Sequence, residues 1–131
     1  MAMTSGIDHI GLSVRDLPTT RSFFTDLLGF DEVGGDPDYP ASFVSDGTVM
    51  ITLWQTEEDP FAFDRMANIG LHHLALRVES LARLQALFQT LENTPDVLIE
   101  CPPIPLESGN GTHFMTIEPG GIRIEFITRA G

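Results

Sequence analysis

His9, His73 and Glu125 are the three residues of this chain best suited to hold a cation. Imidazole nitrogens and a carboxylate are donors that borderline divalent ions prefer, and two histidines with one carboxylate leave positions open for water or substrate. The spacing sharpens the case. The run His9-Ile10-Gly11-Leu12-Ser13-Val14 is echoed 64 residues later by His73-Leu74-Ala75-Leu76-Arg77-Val78, without a gap. The echo continues through Phe24 and Phe88, Leu27 and Leu91, and Gly29 and Asn93. The chain therefore reads as two copies of one unit. An imidazole at the same strand position in each copy can be aimed into one shared cleft.

The elements that must present these groups follow from periodicity. Over residues 7–14, Ile10, Leu12 and Val14 alternate with His9, Gly11 and Ser13, which predicts a strand with its aliphatic face against a helix and His9 on the other face. Asp16 caps a predicted helix over 17–28, with Pro18 in its first turn and Gly29 as a left-handed stop. Strands are predicted over 30–33, 41–45 and 48–56, with a loop over 34–40 and a turn at Asp46-Gly47. One unit is thus βαβββ. The second copy predicts a strand over 71–78, Ser80 as cap, a helix over 81–92, and Asn93 in the left-handed position that Gly29 takes. Strands over 97–101, 113–118 and 122–128 complete it, with a turn at Pro119-Gly120-Gly121. The fold class is α+β: two tandem βαβββ modules whose curved mixed sheets surround a metal-binding cleft. The whole of 1–131 forms a single domain, with module one at about 6–56, a connector at 57–70 and module two at about 71–129.

In the second copy, parity sends His73, Ala75 and Arg77 to the face away from the helix and His72 with the core. In the last strand Ile122, Ile124 and Phe126 pack inward, leaving Arg123, Glu125 and Ile127 opposite. Taken singly, each polar residue is an ordinary strand position. Taken together, two histidines and a carboxylate on a partly enclosed face cost desolvation unless a cation compensates. Met50, Thr52 and Trp54 share one parity and, with Met115, are predicted to line the cavity, with Phe63 or Met66 of the connector closing it. Arg77 and Arg123 on the ligand face suit a substrate carboxylate or phosphate. His113 fits either pocket or surface, and Asp8 reads as a strand-end residue.

Composition narrows the partners. The formal charge of −12, from 19 acidic and 7 basic residues, repels phosphate backbones and anionic membrane surfaces, so nucleic acid and membrane are excluded as expected partners. The single cysteine, Cys101, forms no intrachain disulfide framework. No apolar run reaches a membrane span, and residues 1–7 lack a secretory signal pattern, which predicts a cytoplasmic protein. One open sheet per unit predicts a twofold homodimer.

The runs Ile7-Asp8-His9-Ile10-Gly11-Leu12-Ser13-Val14-Arg15-Asp16-Leu17, Phe24-Thr25-Asp26-Leu27-Leu28-Gly29-Phe30, His72-His73-Leu74-Ala75-Leu76 and Glu118-Pro119-Gly120-Gly121-Ile122-Arg123-Ile124-Glu125-Phe126 resemble the vicinal oxygen chelate superfamily over essentially the whole chain. That group holds glyoxalase I, fosfomycin-resistance thiol transferases, extradiol dioxygenases, methylmalonyl-CoA epimerase and metal-free bleomycin-binding proteins. The resemblance implies His9, His73 and Glu125 as ligands of a divalent ion, whether Ni, Zn, Mn, Fe or Co. It places Thr52 where glyoxalase I has a second glutamate that serves as ligand and base, a role threonine does not fill. It places Met115 where fosfomycin and extradiol enzymes carry a tyrosine, and Gly11 where the fosfomycin group usually has a threonine. What it implies first is glyoxalase-like lyase or isomerase chemistry, with the metal chelating two adjacent oxygens of a small substrate. The alternatives it implies are an Fe(II) ring-cleaving dioxygenase and a non-catalytic binding protein of the antibiotic-resistance kind. In many short relatives the cleft forms between units of different chains, so the resemblance leaves open a site built within one chain and a site shared by two.

Overall fold

A computed structural model describes residues 1–58 and 60–130. Its contacts divide the chain into two compact units, Met1–Pro60 and Phe61–Gly131. In the first, β1 (His9–Val14) leads into α1 (Leu17–Ser22) and a π-helical turn (Phe23–Leu27). Then follow β2 (Asp31–Asp36), β3 (Tyr39–Ser45) and β4 (Met50–Gln55). In the second, β5 (Leu74–Arg77) and α2 (Leu81–Glu92) precede β6 (Leu98–Pro105), β7 (Thr112–Ile117) and β8 (Arg123–Thr128). Both units are βαβββ, and their sheets share one topology: β1-β4-β3-β2 and β5-β8-β7-β6. In each, the first strand pairs in parallel with the last and the remaining pairs are antiparallel.

In unit one the aliphatic stripe of β1 is buried at Leu12 and Val14, as are Val44 of β3 and Ile51 and Leu53 of β4. Asp16 caps α1 by accepting from the Thr19 amide at 3.1 Å. The regular helix expected over 17–28 stops at Ser22, and the rest widens into a π turn in which the Leu28 amide reaches back to the Phe23 carbonyl at 3.2 Å. Widening admits one extra residue to the turn, and Phe23 and Phe24 both end up buried, with rings edge-on at 5.7 Å. Gly29, at φ +76, closes the turn in the left-handed region as expected.

Unit two packs Leu74, Leu76, Leu84, Leu91, Phe114, Ile124 and Phe126 into its core. Ser80 caps α2 through the Arg83 amide at 3.2 Å. Asn93 does not take the left-handed conformation. Its φ is −97, and its side chain instead donates to the Gln89 carbonyl at 2.8 Å, so the helix end is satisfied without the backbone reversal. The left-handed residue is Asp96, at φ 67.

Three further boundaries differ from expectation. The loop over 34–40 shrinks to a tight turn, because Gly35 pairs with Ser42 and Asp36 with Tyr39. β6 runs past Cys101 through Pro102 and Pro103, which is possible because it is an edge strand, where a missing amide breaks no central ladder. β5 begins only at Leu74. His72 therefore lies ahead of the strand and is exposed rather than packed with the core.

The turn from β7 to β8 is organised by a buried carboxylate. Glu118 accepts from the amides of Gly120 at 2.8 Å and Ile122 at 3.1 Å. Glu118→Ala is expected to cost about 1–3 kcal/mol, because those donors lose their side-chain acceptor inside the fold. A lowered midpoint in urea unfolding of the whole chain checks this, and an unchanged midpoint refutes it.

Candidate functional site

The open face of unit two gathers the densest set of titratable groups. Along β8 burial alternates as parity requires: Ile124 and Phe126 are inside, while Arg123, Glu125 and Ile127 face the other way. Small, exposed Ala75 lies opposite Glu125 in the β5–β8 register. Each oxygen of Glu125 meets a different imidazole. Oε1 is 3.2 Å from His73 Nε2, and Oε2 is 2.5 Å from His113 Nδ1. The carboxylate is largely sheltered, its side chain 13% exposed.

Behind His73 runs a polar chain. His73 Nδ1 is 2.8 Å from His72 Nδ1, which is 3.3 Å from Arg123 Nη1. Arg123 in turn grips Glu100 through Nε at 2.9 and 3.1 Å and through Nη2 at 2.5 Å. This bond holds the Glu100 carboxyl below its ordinary value and pushes Arg123 above its own. His72 is lowered by desolvation and then by the Arg123 charge, which favours its neutral form. Arginine can only donate, so His72 Nδ1 is the acceptor for both neighbours. His73 Nδ1 then donates to His72, and the other ring nitrogen, Nε2, is the one that faces Glu125 Oε1.

In unit one the matching positions are filled differently. Gly11 lies opposite Thr52 in the β1–β4 register, just as Ala75 lies opposite Glu125 in unit two. Thr52 thus holds the place of the carboxylate. Its hydroxyl accepts from Trp54 Nε1 at 2.9 Å, and the residue is buried. A Cβ on Gly11 would stand 3.2 Å from Thr52 Oγ1, close enough that the hydroxyl would have to give by a few tenths of an ångström, and in ordinary contact with the indole nitrogen at 3.7 Å. Tyr39 and Phe43 flank Trp54, with ring centroids at 5.6 Å, and make this face an aromatic wall. His9 stands half exposed on β1 with Asp8 Oδ1 on its Nδ1 at 2.7 Å.

Met50 is half-buried opposite His9, and Met115 is buried opposite Glu125. Arg77 is exposed at the end of β5. Arg123 faces the site, but its fork is taken by Glu100. Phe63 and Met66 are exposed, with Phe63 lying over Gly70. The sequence leaves His113 between pocket and surface and does not single out Glu100, although His113 shares its parity on β7 with Met115, which faces Glu125. Among the described residues, no group of three or more His, Cys, Asp or Glu side chains is arranged to hold a metal ion by itself. The His73–Glu125 pair nonetheless fits a borderline divalent ion in donor type and spacing, since two ligands about 2.0–2.2 Å from one ion stand about 3 Å apart. No helix among the described residues is long and apolar enough to cross a membrane.

Comparisons with known proteins agree with this architecture. The family model for the Glyoxalase/Bleomycin resistance protein/Dioxygenase superfamily matches residues 6–126. Over 58 residues the chain is 40% identical to the catechol-2,3-dioxygenase of Bacillus subtilis (strain 168), a match covering 41% of this chain and only 20% of that enzyme's length. A glyoxylase/bleomycin resistance protein/dioxygenase domain from Frankia sp. EAN1pec is 27% identical, with TM-score 0.80 over 96% of this chain and 93% of that one. Lactoylglutathione lyase from Agrobacterium tumefaciens shares the fold at TM-score 0.71 and 20% identity, over 97% and 96% of the two chains. The genomically encoded fosfomycin resistance protein of Listeria monocytogenes does so at 0.69 and 20%, over 96% and 94%.

Proposed function

We propose that this chain, which belongs to the Glyoxalase/Bleomycin resistance protein/Dioxygenase superfamily, is a divalent-metal-dependent small-molecule enzyme of glyoxalase-like lyase or isomerase type. His9, His73 and Glu125 are its protein ligands. The observation that carries the reading is the approach of His73 Nε2 to Glu125 Oε1 at 3.2 Å, with the far side of His73 fixed by His72. His9 enters as the residue that the repeat equates with His73, on the β1 face that is also free of the helix. When bound, the ion would supply positive charge to two adjacent substrate oxygens as negative charge develops there.

The chain's own groups then bind and orient. Met115 offers an apolar wall beside Glu125, and Trp54, with Met50 and Thr52, offers another on the face of unit one. Among the described residues, exposed Arg77 offers a cation to a substrate carboxylate or phosphate, whereas Arg123, held by Glu100, acts on His72. The substrate this suits is small, anionic and partly apolar. A second reading, Fe(II)-dependent ring cleavage, is favoured by the stretch shared with the catechol-2,3-dioxygenase.

The test is thermal unfolding with Ni, Zn, Mn, Co or Fe(II). An ion at a hundred times its dissociation constant is expected to add about 2.7 kcal/mol of stability. No stabilisation by any of them would sink the metal reading and leave a binding module. Yellow ring-fission product from catechol with Fe(II) protein under air would decide for the second reading over the first.

A further inference from the structure

Glu125 treats its two imidazoles differently, and the difference is chemical. Donors sharing one first-row ion at about 2.0–2.2 Å stand about 3 Å or more apart, and the 3.2 Å between Glu125 Oε1 and His73 Nε2 is of that kind. The 2.5 Å between Glu125 Oε2 and His113 Nδ1 is too short for two atoms on the same ion, and it is the separation of a strong hydrogen bond. An ionised carboxylate can only accept, so the proton belongs to His113 Nδ1. The register explains the approach. Met115 faces Glu125 across β7 and β8 while His113 faces Ile127, which makes His113 the diagonal neighbour of the carboxylate on the same face. Both side chains are mostly covered, 21% and 13% exposed, and Met115 between them is buried, so water is a poor substitute for the bond.

We propose that His113 is a positioning residue of the metal site. By donating Nδ1–H to Glu125 Oε2, it leaves Oε1 as the single oxygen offered to a divalent cation beside His73 Nε2. The carboxylate then binds through one oxygen, in a fixed orientation, and the remaining positions around the ion stay open. This rests on His73 and Glu125 being ligands, but it adds a residue and a binding mode which that reading does not contain.

The experiment compares Zn(II) and Mn(II) affinities, by calorimetry on the whole chain, for wild type, His113→Leu and His113→Asn, with His73→Ala and Glu125→Gln as ligand controls. Asparagine can place an N–H near the position of Nδ1, and leucine cannot. Loss of an outer-shell partner typically costs ten- to a hundredfold in metal affinity, so His113→Leu is expected to fall by that factor while His113→Asn recovers most of it. Wild-type affinity in His113→Leu, or equal weakness in both variants, overturns the proposal while the ligand assignment survives. Undiminished affinity in both ligand controls overturns the assignment and the proposal together. A readout independent of the leucine variant's folding is the infrared difference spectrum of wild type with and without Zn(II), using Glu125→Gln as blank. A wide splitting of the carboxylate stretches reports one-oxygen binding as proposed, and a narrow splitting, from two-oxygen binding, overturns it.

Discussion

Glu125→Gln is expected to weaken divalent-cation binding by about a hundredfold or more, and His73→Ala by a similar factor. Structural four-ligand zinc sites gain about 10–16 kcal/mol in all, so one ligand accounts for about 3 kcal/mol, which is about a hundredfold. The glutamine variant is the cleaner of the two. It keeps the shape of the side chain and an oxygen able to accept from His113, so β7 and β8 have no reason to move, and what disappears is the negative charge and its pairing with the ion. His9→Ala is expected to behave like His73→Ala if the repeat equates function as well as sequence. Calorimetric titration with Zn(II) or Mn(II), alongside circular dichroism to confirm the fold, decides the matter. Wild-type affinity in the glutamine variant would remove Glu125 from the ligand set.

Much of this site was legible in the sequence because strands alternate. Glu125 separates from Ile124 and Phe126 by parity alone, and the burial along β8 follows it. Thr52 as the counterpart of Glu125 was also readable, and the registers Gly11 with Thr52 and Ala75 with Glu125 bear it out. Parity fails where the strand has not begun. Counting back from Leu74 sends His72 inward, yet the backbone ahead of Leu74 is not in the sheet, and the imidazole turns to Arg123 and His73. Composition misled in two places, since glycines and prolines that signal loops were absorbed by edge strands β2 and β6. The bond from His113 to Glu125 was harder to read, because it runs diagonally between neighbouring strands, and sequence gives the parity of each residue but not the register between strands.

The repeat also equates residues whose energetics differ, and a large stability effect is expected from that difference. Phe24 and Phe88 occupy equivalent positions. Phe24 is fully buried, edge-on to Phe23 and to Phe30 at 5.7 and 5.2 Å. Phe88 is only half-buried, on a regular helix, with one ring contact to Phe114 at 5.4 Å. The π turn makes the distinction: it widens the end of the first helix so that Phe23 and Phe24 both enter the core, whereas α2 stays regular and leaves its phenylalanine at the margin. Phe24→Ala therefore opens a cavity among aromatic neighbours and is expected to cost about 3–5 kcal/mol. Against a total stability of about 5–15 kcal/mol, that is enough to leave the variant at the edge of folding. Phe88→Ala removes a ring already part-solvated, and about half that cost or less is expected. Urea unfolding of the two variants under identical conditions measures the gap. Equal losses would mean that the π turn has no energetic consequence and that burial in unit one is no better than at the margin of unit two.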